Sequence, residues 1–351
     1  MARWIKRGLL FFGVLATTLG IGAFAYVRAL DLDRQPPARA DSTVADLAFM
    51  RDAMPATRGK ILAVVTSTSH FPDGQKKAGF ELTELSRAYY VFRANGYEVD
   101  IASPQGGSPP MRLDEEDVVA ADYAFLNDPE ARAKLDASQQ LRNVEPADYA
   151  AVYFVGGKGT MFDFPDDADL QRIVRTVYQA GGVIGAVCHG PAALLEVVLD
   201  DGTPLLRGRR VAAFSNAEEL FLIEDARARF PYLLQDRLTE NGAHYVEGPM
   251  YLDNTVVDGR LVTGQNPWST WSTAEAMVRA LGHAPVARAP GRDEIAMRVL
   301  AAYHRDGAGA ARTLRAAHPQ ADTRLLLMHA LVAGMQGHLR QAWQLQALAQ
   351  G

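Results

Sequence analysis

Cysteine is almost missing from this chain of 351 residues: it occurs once, as Cys188. A single thiol excludes an internal disulfide framework and any metal site built from several cysteines. An excess of charge is missing too. The 36 Lys and Arg against 41 Asp and Glu leave a net charge of −5, which provides no footprint for nucleic acid, so none is expected as a partner. The histidines lack ligand-like spacing; His70, His244 and His283 stand far apart, and no metal site is expected.

Long apolar runs are absent with one exception. Gly8 to Val27 (GLLFFGVLATTLGIGAFAYV) is 20 residues without a charge, preceded by Arg3, Lys6 and Arg7 and followed by Arg28. About twenty apolar residues span a bilayer, and the basic flank keeps the N-terminus in the cytoplasm. The expectation is a transmembrane helix through residues 8–27, with the rest of the chain membrane-anchored on the periplasmic or extracytoplasmic side. Ala23-Phe24-Ala25 also fits a signal-peptidase site. Cleavage there would leave a secreted or periplasmic protein. Residues 1–28 are thus an anchor or signal segment, and residues 29–57, polar and proline-containing at the start, read as a linker.

What is present is a large globular core, with 48% hydrophobic and 22% charged side chains. From Lys60 onward strand and helix signals alternate. Ile61–Val65, Tyr97–Ala102, Ala151–Val155, Val183–Val187, Val211–Phe214 and Leu261–Val262 read as strands. Phe80–Asn95, Asp167–Ala180 and Ser272–Leu281 carry helical periodicity, and Ser103–Pro146 is a polar excursion, partly helical around Pro129–Leu141. The expected fold class is α/β: a doubly wound, mostly parallel, flavodoxin-like sheet sandwiched by helices over residues 58–284. Residues 285–351 open with a linker and continue as an Ala-, Leu- and Arg-rich helical extension. Breaks at Asp306-Gly307, at Pro319 and between Gly334 and Gly337 divide it into three or four helices.

The chemistry centres on Gly182 to Pro191 (GVIGAVCHGP), a buried strand that turns abruptly into a helix with Cys188 at the corner. Gly190 suits the tight fold and Pro191 the first helical turn. A thiol above a helix N-terminus ionises more readily than a free one, and the thiolate is the nucleophile; the competing reading is an inert buried hydrophobe. Three other segments supply what a thiolate needs. Val155 to Thr160 (VGGKGT) follows a strand, and Gly156 and Gly157 let backbone N–H groups approach a substrate oxygen beside Lys158. Glu84 lies on a helix with apolar neighbours; buried and protonated it would hydrogen-bond the sulfur and shuttle a proton, whereas exposed it would be an ordinary helix carboxylate. Ser215 to Glu219 (SNAEE) follows a strand and offers a carboxylate to orient His189, or merely an acidic first turn.

Five segments in this order, Glu81–Leu85 (ELTEL), Val155–Pro165 (VGGKGTMFDFP), Ala186–Pro191 (AVCHGP), Phe214–Glu219 (FSNAEE) and Thr263–Ser269 (TGQNPWS), resemble the ThiJ/PfpI superfamily over roughly residues 58–284. The likeness is to its heat-shock-protein-31-like branch, which includes glutathione-independent glyoxalase (glyoxalase III). The resemblance implies that Cys188 is the nucleophile, His189 its base, Glu84 the carboxyl touching the sulfur, and Glu219 the acid completing a Cys-His-acid triad. It also implies an oxyanion hole from Gly157 and the His189 N–H. Lys158 stands where relatives often carry histidine.

The reaction implied is the cofactor-independent conversion of a 2-oxoaldehyde such as methylglyoxal to lactate through a Cys188 hemithioacetal. The alternatives are a holding chaperone, a cysteine redox sensor, or a protease or deglycase of the same superfamily. A glutaminase is disfavoured because Gln265-Asn266-Pro267 supplies no histidine. A homodimer is left open.

Overall fold

The computed structural model describes residues 35–113 and 117–351. The described residues fall into two compact units: Ala38–Ala289, and a second unit in which Pro290–Gly351 joins the short segment before Ala38. The first unit is built on a seven-stranded sheet: β1 (Lys60–Val64), β2 (Glu98–Ser103), β3 (Gln139–Gln140), β4 (Tyr149–Phe154), β5 (Val183–Val187), β6 (Thr255–Asp258) and β7 (Leu261–Gly264). Its spatial order is β6-β7-β5-β4-β1-β2-β3. All neighbours run parallel except β6, which pairs antiparallel with β7 at one edge.

Strand β5 shows why both faces are covered. Successive side chains of a strand point to opposite faces. Ile184 and Ala186 join a core cluster that contains Ile173, Val174 and Val177 from α2 (Ala168–Gln179). Gly185 faces the other way. A Cβ there would meet Met277 Sδ of α4 (Thr270–Ala280), so the sheet can approach that helix closely only because residue 185 has no side chain. Helix α1 (Leu82–Ala94) packs beside α4 on this second face. The layered α/β arrangement matches the sequence reading. Val211 does not join the main sheet, however. Arg210–Val211 pairs with His244–Tyr245 in a separate ribbon, and the next N–H, of Ala212, bonds the Thr263 side chain instead of a strand.

The strand order reverses direction around β1, with β2 on one side and β4 on the other. Crevices at such switch points lie beyond the carboxyl ends of the strands. Val155-Gly156 and Cys188 leave the sheet there side by side, because Phe154 of β4 is in register with Ala186 of β5.

Two expectations are corrected. Among the described residues no helix is long and apolar enough to cross a membrane. Helix α5 (Arg292–Asp306), the longest with 15 residues, spans only about 22 Å against a hydrocarbon core of about 30 Å. The transmembrane helix assigned to residues 8–27 lies outside the described residues, so the fold class stands as α/β unit plus helical unit, without that element. The membrane partner and the membrane-anchored, periplasmic localisation rested on it alone and are withdrawn with it.

The second unit contains α5, α6 (Ala308–Ala317), α7 (Thr323–Met335) and α8 (Leu339–Gln350). Its helices break at Gly307, around Pro319 and at Gln336–His338, as the sequence breaks imply. Buried Arg315 holds the last helix, its Nε donating to Leu348 O at 3.2 Å.

Candidate active site

Cys188 adopts φ 59°, the left-handed conformation that side chains other than glycine rarely take. The turn expected of Gly190 is therefore made by the cysteine itself. Gly190 serves a different need: a Cβ there would lie 2.4 Å from Phe154 O, so glycine lets the corner press onto β4. The corner is fixed by Cys188 N–H donating to Gly264 O and by Phe214 N–H donating to Cys188 O, both at 2.9 Å. A residue held off the ordinary backbone by partners on both sides points its side chain out of the sheet.

The helix after the corner is a 3-10 segment, Gly190–Leu194, too short for its N-terminus to activate the thiol. Burial and the Glu84 carboxyl push the Cys188 thiol well above its usual range, so it rests protonated. The expected easy ionisation is not found, and deprotonation falls to the neighbouring imidazole. His189 Nδ1 lies 3.3 Å from Cys188 Sγ, and His189 Nε2 lies 2.5 Å from Glu219 Oε2. A carboxylate beside Nε2 accepts a hydrogen bond from the N–H of that nitrogen, which leaves the Nδ1 lone pair facing the thiol. The imidazole is stacked on Phe214 (centroids 4.6 Å, 29° between planes) and lies near-parallel to Phe230 at 6.1 Å. Stacking on Phe214 and a partner at each ring nitrogen set its orientation.

Glu84 is fully buried on the first turn of α1. Its Oε2 accepts the Gly156 N–H at 2.7 Å, and the carboxyl interacts with the Cys188 thiol. Burial first, then the charge of Glu81, raises its pKa well above the usual carboxyl range. Burial thus biases Glu84 toward its protonated form, which sets a proton donor beside the sulfur. Tyr153 OH donates to the Glu84 carbonyl at 3.0 Å and anchors the turn that carries it.

Gly156 N–H is engaged by Glu84 and is not a free donor. The N–H groups of Gly157 and His189 have no protein partner among the described residues. His189 follows Cys188 in the chain, and Gly157 follows Gly156, whose Cβ would lie 2.8 Å from Cys188 Cβ. Gly157 has φ 107° and room for no Cβ, since one would lie 2.3 Å from Gly79 O. Lys158 is half-buried, and its ammonium has no hydrogen-bond or ion-pair partner among the described residues. No group of His, Cys, Asp and Glu suited to a metal ion occurs among the described residues.

The sequence reading missed three supports. Glu218 is a buried hub that accepts from Ser215 N and Oγ, Gln265 Nε2, Asn266 Nδ2 and Tyr251 N. It fixes α3 (Asn216–Leu222), and so places Glu219 on His189. The Ser215-x-x-Glu218 capping pattern was a legible signal for it. Asp163 ties the loop after β1 to the glycine loop, accepting from Thr66 Oγ1 and Ser67 N at 2.8 Å. Burial raises its pKa to about 6. The aromatic walls around His189 carried no periodic signal at all.

Thiol, imidazole and two carboxyl groups thus converge at a left-handed corner, with two unpaired N–H groups alongside. Residues 76–280 match the sequence profile described as the DJ-1/PfpI family. The chain belongs to this family. Within it, the chain is 36% identical over 238 residues to Glyoxalase 3 of Candida albicans, covering 63% of this chain and 98% of that protein. It is 34% identical to the glutathione-independent glyoxalase HSP31 of Saccharomyces cerevisiae, over 63% of this chain and 98% of the relative. The crystal structure of glyoxalase III from Candida albicans superposes with a TM-score of 0.58 at 34% identity, covering 64% of this chain and 97% of that one. Each of these proteins is covered almost in full and leaves over a third of this chain without a counterpart.

Proposed function

We propose that this protein is a glutathione-independent glyoxalase that converts 2-oxoaldehydes such as methylglyoxal to 2-hydroxy acids at Cys188. The observation that carries the reading is a buried thiol that meets an imidazole, His189 Nδ1 at 3.3 Å, beside the Glu84 carboxyl that accepts the Gly156 N–H. The relatives named as glyoxalases, matched over nearly their whole lengths, support it.

His189 takes the thiol proton as sulfur attacks the aldehyde carbon, and Glu219 stabilises the imidazolium formed. The hemithioacetal oxygen is received by the Gly157 and His189 N–H groups. The imidazolium returns its proton to that oxygen. The freed imidazole then takes the C1 proton while the Glu84 carboxyl protonates the C2 oxygen, giving an enediol. The imidazolium delivers its proton to C2 as the Glu84 carboxylate recovers the proton of the C1 hydroxyl, leaving a thioester of Cys188. Water hydrolyses that thioester, restoring the thiol. C1 is oxidised and C2 reduced within one molecule, so the balance requires no external oxidant or reductant. Acid–base catalysis of this kind contributes on the order of 10²–10⁴-fold.

The test is methylglyoxal consumption without glutathione, with chiral detection of lactate, for the wild type and for Cys188→Ser. The wild type is expected to turn over and the variant to be inactive. Consumption by the variant at the wild-type rate would remove the sulfur from the mechanism. Facile oxidation of Cys188 by peroxide in a protein that leaves every 2-oxoaldehyde untouched would support the redox-sensor reading instead.

A further inference from the structure

Helices α7 and α8 of the second unit form a hairpin with a tight turn, hence antiparallel. Gly334 of α7 faces Ala342 of α8, since a Cβ on Gly334 would lie 3.7 Å from the Ala342 Cβ. Leu325, Leu326, Ala333, Leu345 and Leu348 are buried. Leu331, Met335, Leu339 and Trp343 are not. At 64%, 67%, 74% and 69% exposure they are the most exposed large apolar side chains among the described residues.

Their positions follow one rule. Leu331 and Met335 stand three before and one after Gly334, while Leu339 and Trp343 stand three before and one after Ala342. At about 100° per residue, both offsets turn a side chain through roughly 60–100° from the line joining the helices. In antiparallel helices equal turns of the same sense fall on one side. The four side chains therefore form two apolar rows, one on each helix, on the same side of the hairpin, with the seam between the helices as a groove.

Charge selects what fits. The whole chain carries −5, yet from Thr323 to Gly351 there is no Asp or Glu, only Arg324, Arg340, His329 and His338. Arg324, ten positions before Gly334, falls on the groove side, and Arg340 adjoins Leu339 at its rim. A second copy of the hairpin would bring the same arginines together. An amphipathic helix with acidic flanks meets both the apolar rows and the basic rim. We propose that this groove is the docking site for such a helix on another protein, with Trp343 as its anchor.

The test uses the full chain and two labelled synthetic helical peptides with the same leucine stripe, one flanked by Glu and one by Lys. Fluorescence anisotropy should show the Glu peptide binding at least about tenfold more tightly, with affinity falling as salt rises. Trp343→Ser should weaken it by about tenfold or more while helix content and turnover at Cys188 stay unchanged. Arg340→Glu, which leaves the apolar rows intact, should narrow or reverse the preference between peptides. Equal binding of both peptides, or binding of neither, overturns the proposal. So does a concentration-dependent dimer lost in Trp343→Ser, which would make a second copy the occupant. Retention on phosphatidylserine vesicles without peptide binding would make it a lipid surface, and overturns the proposal likewise.

Discussion

Adding one methyl group at residue 156 tests the contact between Glu84 and Cys188 directly. Gly156 lies outside the left-handed region, so alanine is acceptable to the backbone and only space is lacking. The new Cβ would lie 2.6 Å from Glu84 Oε2, 2.6 Å from Val187 O and 2.8 Å from Cys188 Cβ. Comfortable separations are about 3.5–4 Å, so the neighbours must part by roughly 1 Å. Val187 O belongs to β5 and Cys188 to a braced corner; the Glu84 carboxyl is what yields. Its retreat strains the bond from the Gly156 N–H and opens the gap to the sulfur. Overpacking of this kind costs about 1–3 kcal/mol, and an unpaired buried N–H about 1–3 kcal/mol more. For a unit of this size each kcal/mol lowers Tm by about 2–4 °C, so the combined cost of about 2–6 kcal/mol should lower the melting of Gly156→Ala by roughly 4–24 °C. Misplacing a reacting group by about 1 Å costs on the order of 10²-fold in rate. Thermal melts followed by methylglyoxal turnover well below the mutant Tm separate the two losses. Gly309→Ala, on α6 with open space around it, is the control and should be neutral or slightly stabilising. A Gly156→Ala protein that is folded and turns over at the wild-type rate would refute the reasoning.

Glu84→Gln keeps an acceptor for the Gly156 N–H but no transferable proton. Turnover should fall about 10²–10⁴-fold, with stability, read by urea unfolding, changed by no more than about 1 kcal/mol. Glu219→Gln removes the charge that balances the His189 imidazolium; kcat/KM should drop about 10–10²-fold, and iodoacetamide alkylation of Cys188 should slow in parallel. Asp163 holds its proton to about pH 6 in the folded state against 3.8 ordinarily, so the folded protein binds the extra proton between those values. Its contribution to stability is complete below about pH 4 and disappears as pH rises through about 6. Asp163→Asn should flatten that decline in melts run across the interval.

The alternation of strands and helices was legible because each β-branched run is short and bounded by glycine or a polar turn. The corner at Cys188 was legible for the same reason, although its activation was not. A helix N-terminus was inferred from Gly190-Pro191, and five residues of 3-10 helix followed instead. Glu84 could be read as buried or exposed until α1 was seen packed beside α4 with its first turn facing the sulfur. The edge strand Thr255–Asp258 escaped notice, since four residues with Val257 exposed carry little apolar signal. Glu218 looked equivalent to Glu219 in sequence. Only the fold, which aims five donors at one and an imidazole at the other, gives them separate work. Lys158 remains legible in both views as a cation beside the glycine loop.

The orientation of the His189 ring, stacked on Phe214 and hydrogen-bonded at both nitrogens, bears on the handedness of the product of the proposed reaction. An imidazole held in one orientation presents one nitrogen along one line. A hydrogen passed back to a flat enediol along a fixed line arrives on a single face of the new stereocentre. Under the proposed reaction, a fixed ring is expected to favour one mirror-image form of the hydroxy acid, to which the stacked Phe214 contributes without belonging to the reacting groups.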